Sequence, residues 1–302
     1  MQPWVPELEV TDEIARELIE DQFPQLAPIR LQAFESGWDN RVIRVNGTYL
    51  FRFPQREIAL AGVEREIRCL PLLLKHLEMI PNPIFVGKPS ANYPWPFFGY
   101  EPLEGRESSE CELNSSQKVQ IARTLGTFLK KLHSLPAHKV SEMDLPEDPL
   151  GRLDFGKRVP MTEARLDQLE KSGFDLPYTR LRELLRAGLA TPRLPCRQVV
   201  HGDLHFRHLL LGDENQLTGV IDWGDLHRND PAVDLQIYWS FFLPEERVEF
   251  LKSYGEISET QLIQARAFSV FENIALLVSA RDQGKDRVAR AAYLASLTLL
   301  KD

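Results

Sequence analysis

The chain is 302 residues long, 43% hydrophobic and 26% charged, with a formal net charge of −8. At a prior of roughly 150 residues per domain it holds two domains or one large two-lobed one, and no apolar run approaches the roughly 18 residues of a membrane span. An excess of acid with no block of like charge excludes a nucleic-acid footprint, and neither half of the chain concentrates charge enough to advertise a polycationic ligand.

The opening residues, MQPWVPELEVTDE, lack the basic-then-apolar pattern of a secretory signal and are too acidic for a transit peptide, so a cytoplasmic protein with no membrane partner is expected. Cys69, Cys111 and Cys196 are too few and too scattered for a disulfide framework or a paired-cysteine metal site, and read as packing residues. Thr11 opens a short amphipathic helix over residues 11–20, with acids in its first turn and Ile14 and Leu18 four apart. Alternation at Ile29, Leu31 and Ala33 predicts a strand. The runs RVIRV and TYLFRF, joined by Asn46-Gly47, predict an antiparallel hairpin. Leu60, Val63, Ile67 and Leu70 then make one helical stripe over residues 57–70, which Pro71 is expected to kink or end.

A proline-punctuated stretch closing at Gly105 carries the last strands and a linker. From Ser116 onward helices dominate. Val119, Ala122, Leu125, Leu129 and Leu132 share one stripe, and further helical patterns fill residues 161–189, 244–253 and 258–300. The expected fold class is α+β: a small antiparallel-sheet lobe over residues 1–98, a hinge over 99–105, and a larger, mainly helical lobe over 106–302.

The segment VVHGDLHFRHLLLGDENQLTGVIDWGD, residues 199–225, holds the chemistry. Two apolar runs flank the turn-rich GDENQ, which predicts a hairpin centred near Asn215, with His208 opposite Asp222 and Asp203 in the loop just before. Two acids and an imidazole converging at strand ends suit metal-assisted phosphoryl transfer. That reaction needs one carboxylate to align the hydroxyl and accept its proton, plus ligands that hold Mg²⁺ on the phosphate oxygens. Asp203 and Asp222 fit those two jobs.

At these residues the chain resembles the aminoglycoside/choline-kinase-like phosphotransferases, relatives of the protein kinases. The resemblance rests on His201-Gly202-Asp203 through His208, on Ile221-Asp222-Trp223-Gly224, and on Asp230-Pro231-Ala232 with Asp234. It extends to SGWDN at 36–40, Arg52, Glu66 in VEREI, GYEPLEG at 99–105 and LGTFLKKLHSL at 125–135, in the family's order. It implies a bilobal protein-kinase-like fold and an ATP- or GTP-dependent phosphotransferase acting on a hydroxyl of a small molecule. Asp203 would be the catalytic residue, with His201 supporting its loop. Ser36, Gly37 and Asn40 would belong to the nucleotide loop, and Arg52 with its helical partner Glu66 would meet the phosphates. The Glu101 carbonyl and Leu103 N–H would meet the base, because Pro102 has no N–H to offer. His208 and Asp222 would hold Mg²⁺.

The family's usual Asn is His208 here. Macrolide phosphotransferases carry a His at that place and an Arg on the third strand, which tilts the acceptor toward a macrolide-type antibiotic, with an aminoglycoside or metabolite as the alternative. Two readings from other classes stand beside this one. The altered metal position motivates a catalytically silent nucleotide-binding regulator. His201, His205, His208 and His227 with the two aspartates would suit a zinc hydrolase, although no paired spacing such as HExxH occurs. The run GRLDFGK at 151–157 matches most of a phosphate-binding loop, but Arg158 stands where Ser or Thr is needed and no strand precedes it, so it reads as plain loop.

Overall fold

The computed structural model describes residues 6–36 and 39–302. The chain divides into two compact units, one of residues 1–103 and 220–226, the other of residues 104–219 and 227–302.

The first unit opens with helix α1 (Asp12–Gln22), capped by the Thr11 side chain, which accepts from the Ile14 N–H. Strands β1 (Leu31–Ser36), β2 (Asn40–Val45), β3 (Tyr49–Pro54), β4 (Phe85–Gly87) and β5 (Phe97–Tyr100) form one antiparallel sheet in the order β1-β2-β3-β5-β4. The β2–β3 turn follows from its sequence: Asn46 and Gly47 both take positive φ, 54° and 73°, as the favoured hairpin turn requires. Phe51, Phe53, Tyr93 and Phe97 are fully buried, and Phe53 stacks on Phe97 with centroids 4.7 Å apart. Each such aromatic pair adds about 1 kcal/mol beyond its buried area.

Helix α2 (Leu60–Leu73) includes Pro71, which was expected to kink or end it, and continues past it only to Leu73. Proline removes a single N–H, and the ladder resumes with Leu74 N–H donating to Leu70 O at 2.9 Å. The buried stripe of Val63, Cys69, Leu70 and Leu73 holds the helix through that gap.

The second unit contains β6 (Arg106–Glu107), α3 (Ser115–His133), α4 (Ala137–Glu142), α5 (Phe155–Lys171), α6 (Tyr178–Ala187), β7 (Gln198–Val200) and β8 (Leu209–Leu211). After β9 (Leu217–Val220), whose last residue lies in the first unit, follow β10 (His227–Asn229), α7 (Gln236–Phe241), α8 (Pro244–Tyr254), α9 (Glu259–Asp282) and α10 (Asp286–Thr298). The helical pattern over 258–300 is therefore two helices, broken where Gly284 takes φ +66°. The one over 161–189 is likewise two, α5 and α6.

α9 is long and apolar enough to cross a membrane, yet Ala267, Phe268, Val270, Ile274 and Leu277 along it are buried in the core formed with α5, α6 and α10. The hairpin after β8 closes with Gly212 N–H donating to Gln216 O at 2.9 Å. Its centre is Glu214, one residue before the expected Asn215, and Asn215 itself takes φ +59°.

Candidate active site

In the second unit, β7 pairs antiparallel with β10, and the chain leaves β7 at His201-Gly202-Asp203. Asp234, wholly buried, shapes that loop: its carboxylate accepts the His201 N–H at 2.7 Å and the Gly202 N–H at 3.0 Å. His133, the last residue of α3, meets Asp234 Oδ2 through Nε2 at 3.0 Å and the Tyr254 hydroxyl through Nδ1 at 2.9 Å. Burial alone would raise the Asp234 pKa; the hydrogen bond and charge of His133 reverse that and hold the carboxyl below its ordinary range. Downstream, the Gln236 amide donates to Leu204 O. The loop is thus set by the buried Asp234, just before α7, and by His133 of α3 and Gln236 of α7.

Asp203 sits at the centre of a cluster. Its Oδ1 lies 3.1 Å from Arg152 Nη2, and its Oδ2 lies 3.8 Å from His205 Nε2 and 3.9 Å from His208 Nδ1. Burial would raise its pKa, but Arg152 first, and the imidazoles after it, hold the Asp203 carboxyl well below the usual carboxylate range. His201 Nδ1 accepts the Asp203 N–H at 3.3 Å. His208 Nδ1 is 2.7 Å from the Asp203 carbonyl. A carbonyl only accepts, so Nδ1 carries the proton and Nε2 keeps the lone pair.

One ligand atom each from Asp203, His205 and His208 lie within 4.8 Å of one another, which bears on the zinc reading. Two facts weigh against a zinc ion there: His205 Nδ1 accepts the Arg207 N–H, which puts the ring proton on the Nε2 that faces Asp203, and the Arg152 guanidinium already stands as a cation beside Asp203.

In the first unit, Arg52 from β3 reaches Glu66 on α2 at 2.9 Å and Asp222 at 3.7 Å. Glu66 is almost wholly buried, whereas the Asp222 side chain is about half exposed. Burial raises the Glu66 pKa against the pull of Arg52, and its carboxylate also accepts the Trp223 N–H. The two carboxylates together keep Arg52 charged in spite of its own burial. Asp222 takes φ +66°, a left-handed conformation uncommon for a non-glycine residue. The fully buried Trp223 fixes the turn, its Nε1 donating to Val220 O at 2.9 Å. α2 approaches this turn closely at Gly62, where a Cβ would stand 3.2 Å from Gly224 O and 3.3 Å from its Cα.

Of the remaining expected residues, Ser36 ends β1 and Gly37 lies outside the described residues. Asn40 opens β2, and among the described residues its Oδ1 is buried with no hydrogen-bond partner. Glu101 and Leu103 lie in the irregular segment after β5, Glu101 exposed and Leu103 half-buried. Sequence reasoning missed Arg152 and Glu272, whose side chains pair at 2.9 Å in a buried setting. The available signal was Glu272 itself, the one acid in the apolar run AFSVFENIALLV at 267–278. A buried charge of that kind needs a partner.

The family model described as "Phosphotransferase enzyme family" matches residues 30–268. A curated relative, the uncharacterised protein YcbJ of Bacillus subtilis, is 34% identical over 168 residues, 52% of this chain and 53% of its own. The match thus spans about half the length of that relative. Among solved structures, the GDP complex of aminoglycoside 2'-phosphotransferase-IIIa is similar over 96% of this chain and 99% of its own, with 23% identity and a TM-score of 0.69. A macrolide 2'-phosphotransferase from Brachybacterium faecium is similar over 93% and 97%, with 22% identity and a TM-score of 0.62. The fold is therefore that of the kinase-like phosphotransferases, α+β, as expected.

Proposed function

This chain belongs to the phosphotransferase enzyme family, and from that premise we propose that it transfers the γ-phosphate of ATP or GTP to a hydroxyl of a small molecule, with a macrolide-type antibiotic as acceptor. Asp203 aligns the acceptor hydroxyl and takes its proton. The acceptor oxygen bonds to the γ-phosphorus, and the bond to the bridging oxygen breaks, its electrons leaving with the nucleoside diphosphate. The observation that carries the reading is the state of Asp203, held ionised by Arg152 on a loop whose backbone Asp234 fixes. Such a carboxylate is a weak base. It suits a loose transition state, which asks for alignment more than for early proton removal.

On the donor, Arg52 meets the α- and β-phosphates with its fork oriented by Glu66, which a point charge would not require. Ser36, Gly37 and Asn40 belong to the loop over the phosphates, and the unsatisfied Asn40 Oδ1 supports a partner supplied by the donor complex. The Glu101 carbonyl and Leu103 N–H serve the base. His208 and Asp222 would hold Mg²⁺. The His208 geometry fits that role, because an imidazole that donates one N–H to a backbone carbonyl presents its other nitrogen as a ligand. When bound, Mg²⁺ neutralises charge on the transferring phosphoryl group. The cytoplasm, where both nucleotides are abundant and thiols stay reduced, suits the reaction and a chain with three scattered cysteines.

The macrolide assignment leans on His208 in the place of the family's usual Asn. Solved relatives include an aminoglycoside enzyme with kanamycin and GDP as well as macrolide enzymes, which keeps an aminoglycoside or metabolite acceptor as the alternative. The test is γ-phosphate consumption with ATP and GTP against erythromycin, kanamycin and choline, with the product identified by phosphorus NMR. Turnover is expected fastest with the macrolide. Turnover with kanamycin or choline alone moves the acceptor to that class. Nucleotide-dependent thermal stabilisation without turnover on any acceptor overturns the reading in favour of a regulator.

A further inference from the structure

The run GRLDFGK, dismissed above as plain loop, turns out to be the mount of a guanidinium on the reacting carboxylate. Arg152 is over nine-tenths buried and bridges two acids: Nη2 stands 3.1 Å from Asp203 Oδ1, and Nη1 stands 2.9 Å from Glu272 Oε1 on α9. Its loop is held from several sides. The Arg152 N–H donates to Asp148 Oδ1 at 2.6 Å, Arg158 donates to Gly151 O at 2.8 Å and Leu150 O at 2.5 Å, and Asp154 caps α5 by accepting the Lys157 N–H at 3.2 Å. Arg158 is itself braced over the Phe271 ring at 4.5 Å. A side chain fixed at its base by the loop and at its tip by Glu272 has little rotamer freedom left.

We infer that Arg152, anchored by Glu272, is a positioning residue for phosphoryl transfer: it holds Oδ1 of Asp203 and so turns Oδ2 toward the acceptor hydroxyl. The inference rests on the phosphotransferase reading above. Without Arg152 the carboxylate can rotate about its Cβ–Cγ bond, and either oxygen or neither faces the hydroxyl. The guanidinium suits this task because its rigid fork presents Nη2 to Asp203 and Nη1 to Glu272 at a fixed spacing. Glu272 acts one step further back. It neutralises the second half of the guanidinium charge and prevents Arg152 from swinging fully onto Asp203.

The experiment has a contact arm and a kinetic arm, both on the full chain. Urea unfolding of Arg152→Ala, Asp203→Asn and the double variant gives their coupling; non-additive losses are expected, and strict additivity overturns the contact. In the kinetic arm, turnover of ATP and GTP with Mg²⁺ and the best acceptor of the panel is followed. Arg152→Ala is expected to lose about 10²-fold in kcat with donor KM unchanged, since a misplaced reacting group costs on that order. Millimolar guanidinium chloride should restore part of the Arg152→Ala loss and none of the Asp203→Asn loss. Glu272→Gln, a milder change that keeps the shape of the site, should fall between wild type and Arg152→Ala. Wild-type turnover retained by Arg152→Ala overturns this inference alone. Absence of turnover in the wild type overturns the phosphotransferase reading and the inference with it.

Discussion

His133 and Asp234 meet at 3.0 Å in the interior of the second unit, and the same Asp234 carboxylate receives the backbone N–H groups that turn the chain into Asp203. The last residue of α3 therefore sets the entry to a loop about seventy residues later, through one buried charge. Asp234→Asn should cost about 3–5 kcal/mol, the penalty for breaking a buried pair, and should lower kcat with it. The pH dependence has a definite sign. A carboxyl held below its ordinary 3.8 stabilises the fold at pH values above 3.8, and that contribution is lost as pH falls through the lowered value. Urea titrations on the acid side should show this loss in wild type and not in Asp234→Asn.

Arg52 and Glu66 should behave as one unit toward the donor. Arg52→Ala and Glu66→Ala are each expected to raise nucleotide KM, and the double variant to lose less than the sum, because the pair gains from mutual orientation. Arg52→Lys should rescue only in part. Full additivity in the cycle would remove the pair from the donor site.

Glu66 also predicts a pH window for stability. Burial raises its pKa from 4.5 to about 7, so its contribution is present in full below 4.5 and is lost as pH rises through about 7. Glu66→Gln should flatten that slope and hold stability at pH 8 at or above wild type, while donor binding weakens. A steeper slope in Glu66→Gln would reverse the assignment.

Asp203→Asn should lower kcat by about 10²–10⁴ with little change in nucleotide affinity. Isothermal titration with a non-hydrolysable nucleotide separates the two effects. Turnover near wild type would take Asp203 out of the proton-accepting role.

At His208 the expected readout is metal preference. Imidazole nitrogen favours Mn²⁺ and Co²⁺ over Mg²⁺ more strongly than an amide oxygen does. Metal titration in the presence of nucleotide should therefore rank Mn²⁺ and Co²⁺ higher in wild type than in His208→Asn, and His208→Ala should need more Mg²⁺ for the same occupancy. An unchanged ranking in both variants would leave His208 with only its hydrogen bond to the Asp203 carbonyl.

The sequence was legible wherever a local rule dominates. Thr11 caps α1 by its own hydroxyl, and Asn46-Gly47 closes the β2–β3 hairpin because both residues tolerate positive φ. The extension of α2 past Pro71 to Leu73 is not legible locally, because burial of Val63, Leu70 and Leu73, a tertiary effect, outweighs one missing hydrogen bond. Asp203, Asp222, Arg52 and Glu66 were readable as an ordered set of motifs. Arg152 was not, since its partners lie 51 and 120 residues away, and a loop arginine carries no periodicity to mark it. Neither was the holding role of Asp234, which only the fold brings against His133.

Gly62 gives α2 its standing distance from the turn that carries Asp222. A glycine inside a helix costs about 1 kcal/mol against alanine, so the helix alone would gain from the exchange. In the folded protein, one added methyl would press on the Gly224 carbonyl and act as a shim between Glu66 and the Asp222 turn. The clearance at Gly62 is thus a manufacturing tolerance for the charges of Arg52, Glu66 and Asp222: Gly62→Ala trades a firmer helix for a wider gap, and tightness of nucleotide binding is the gauge expected to read it.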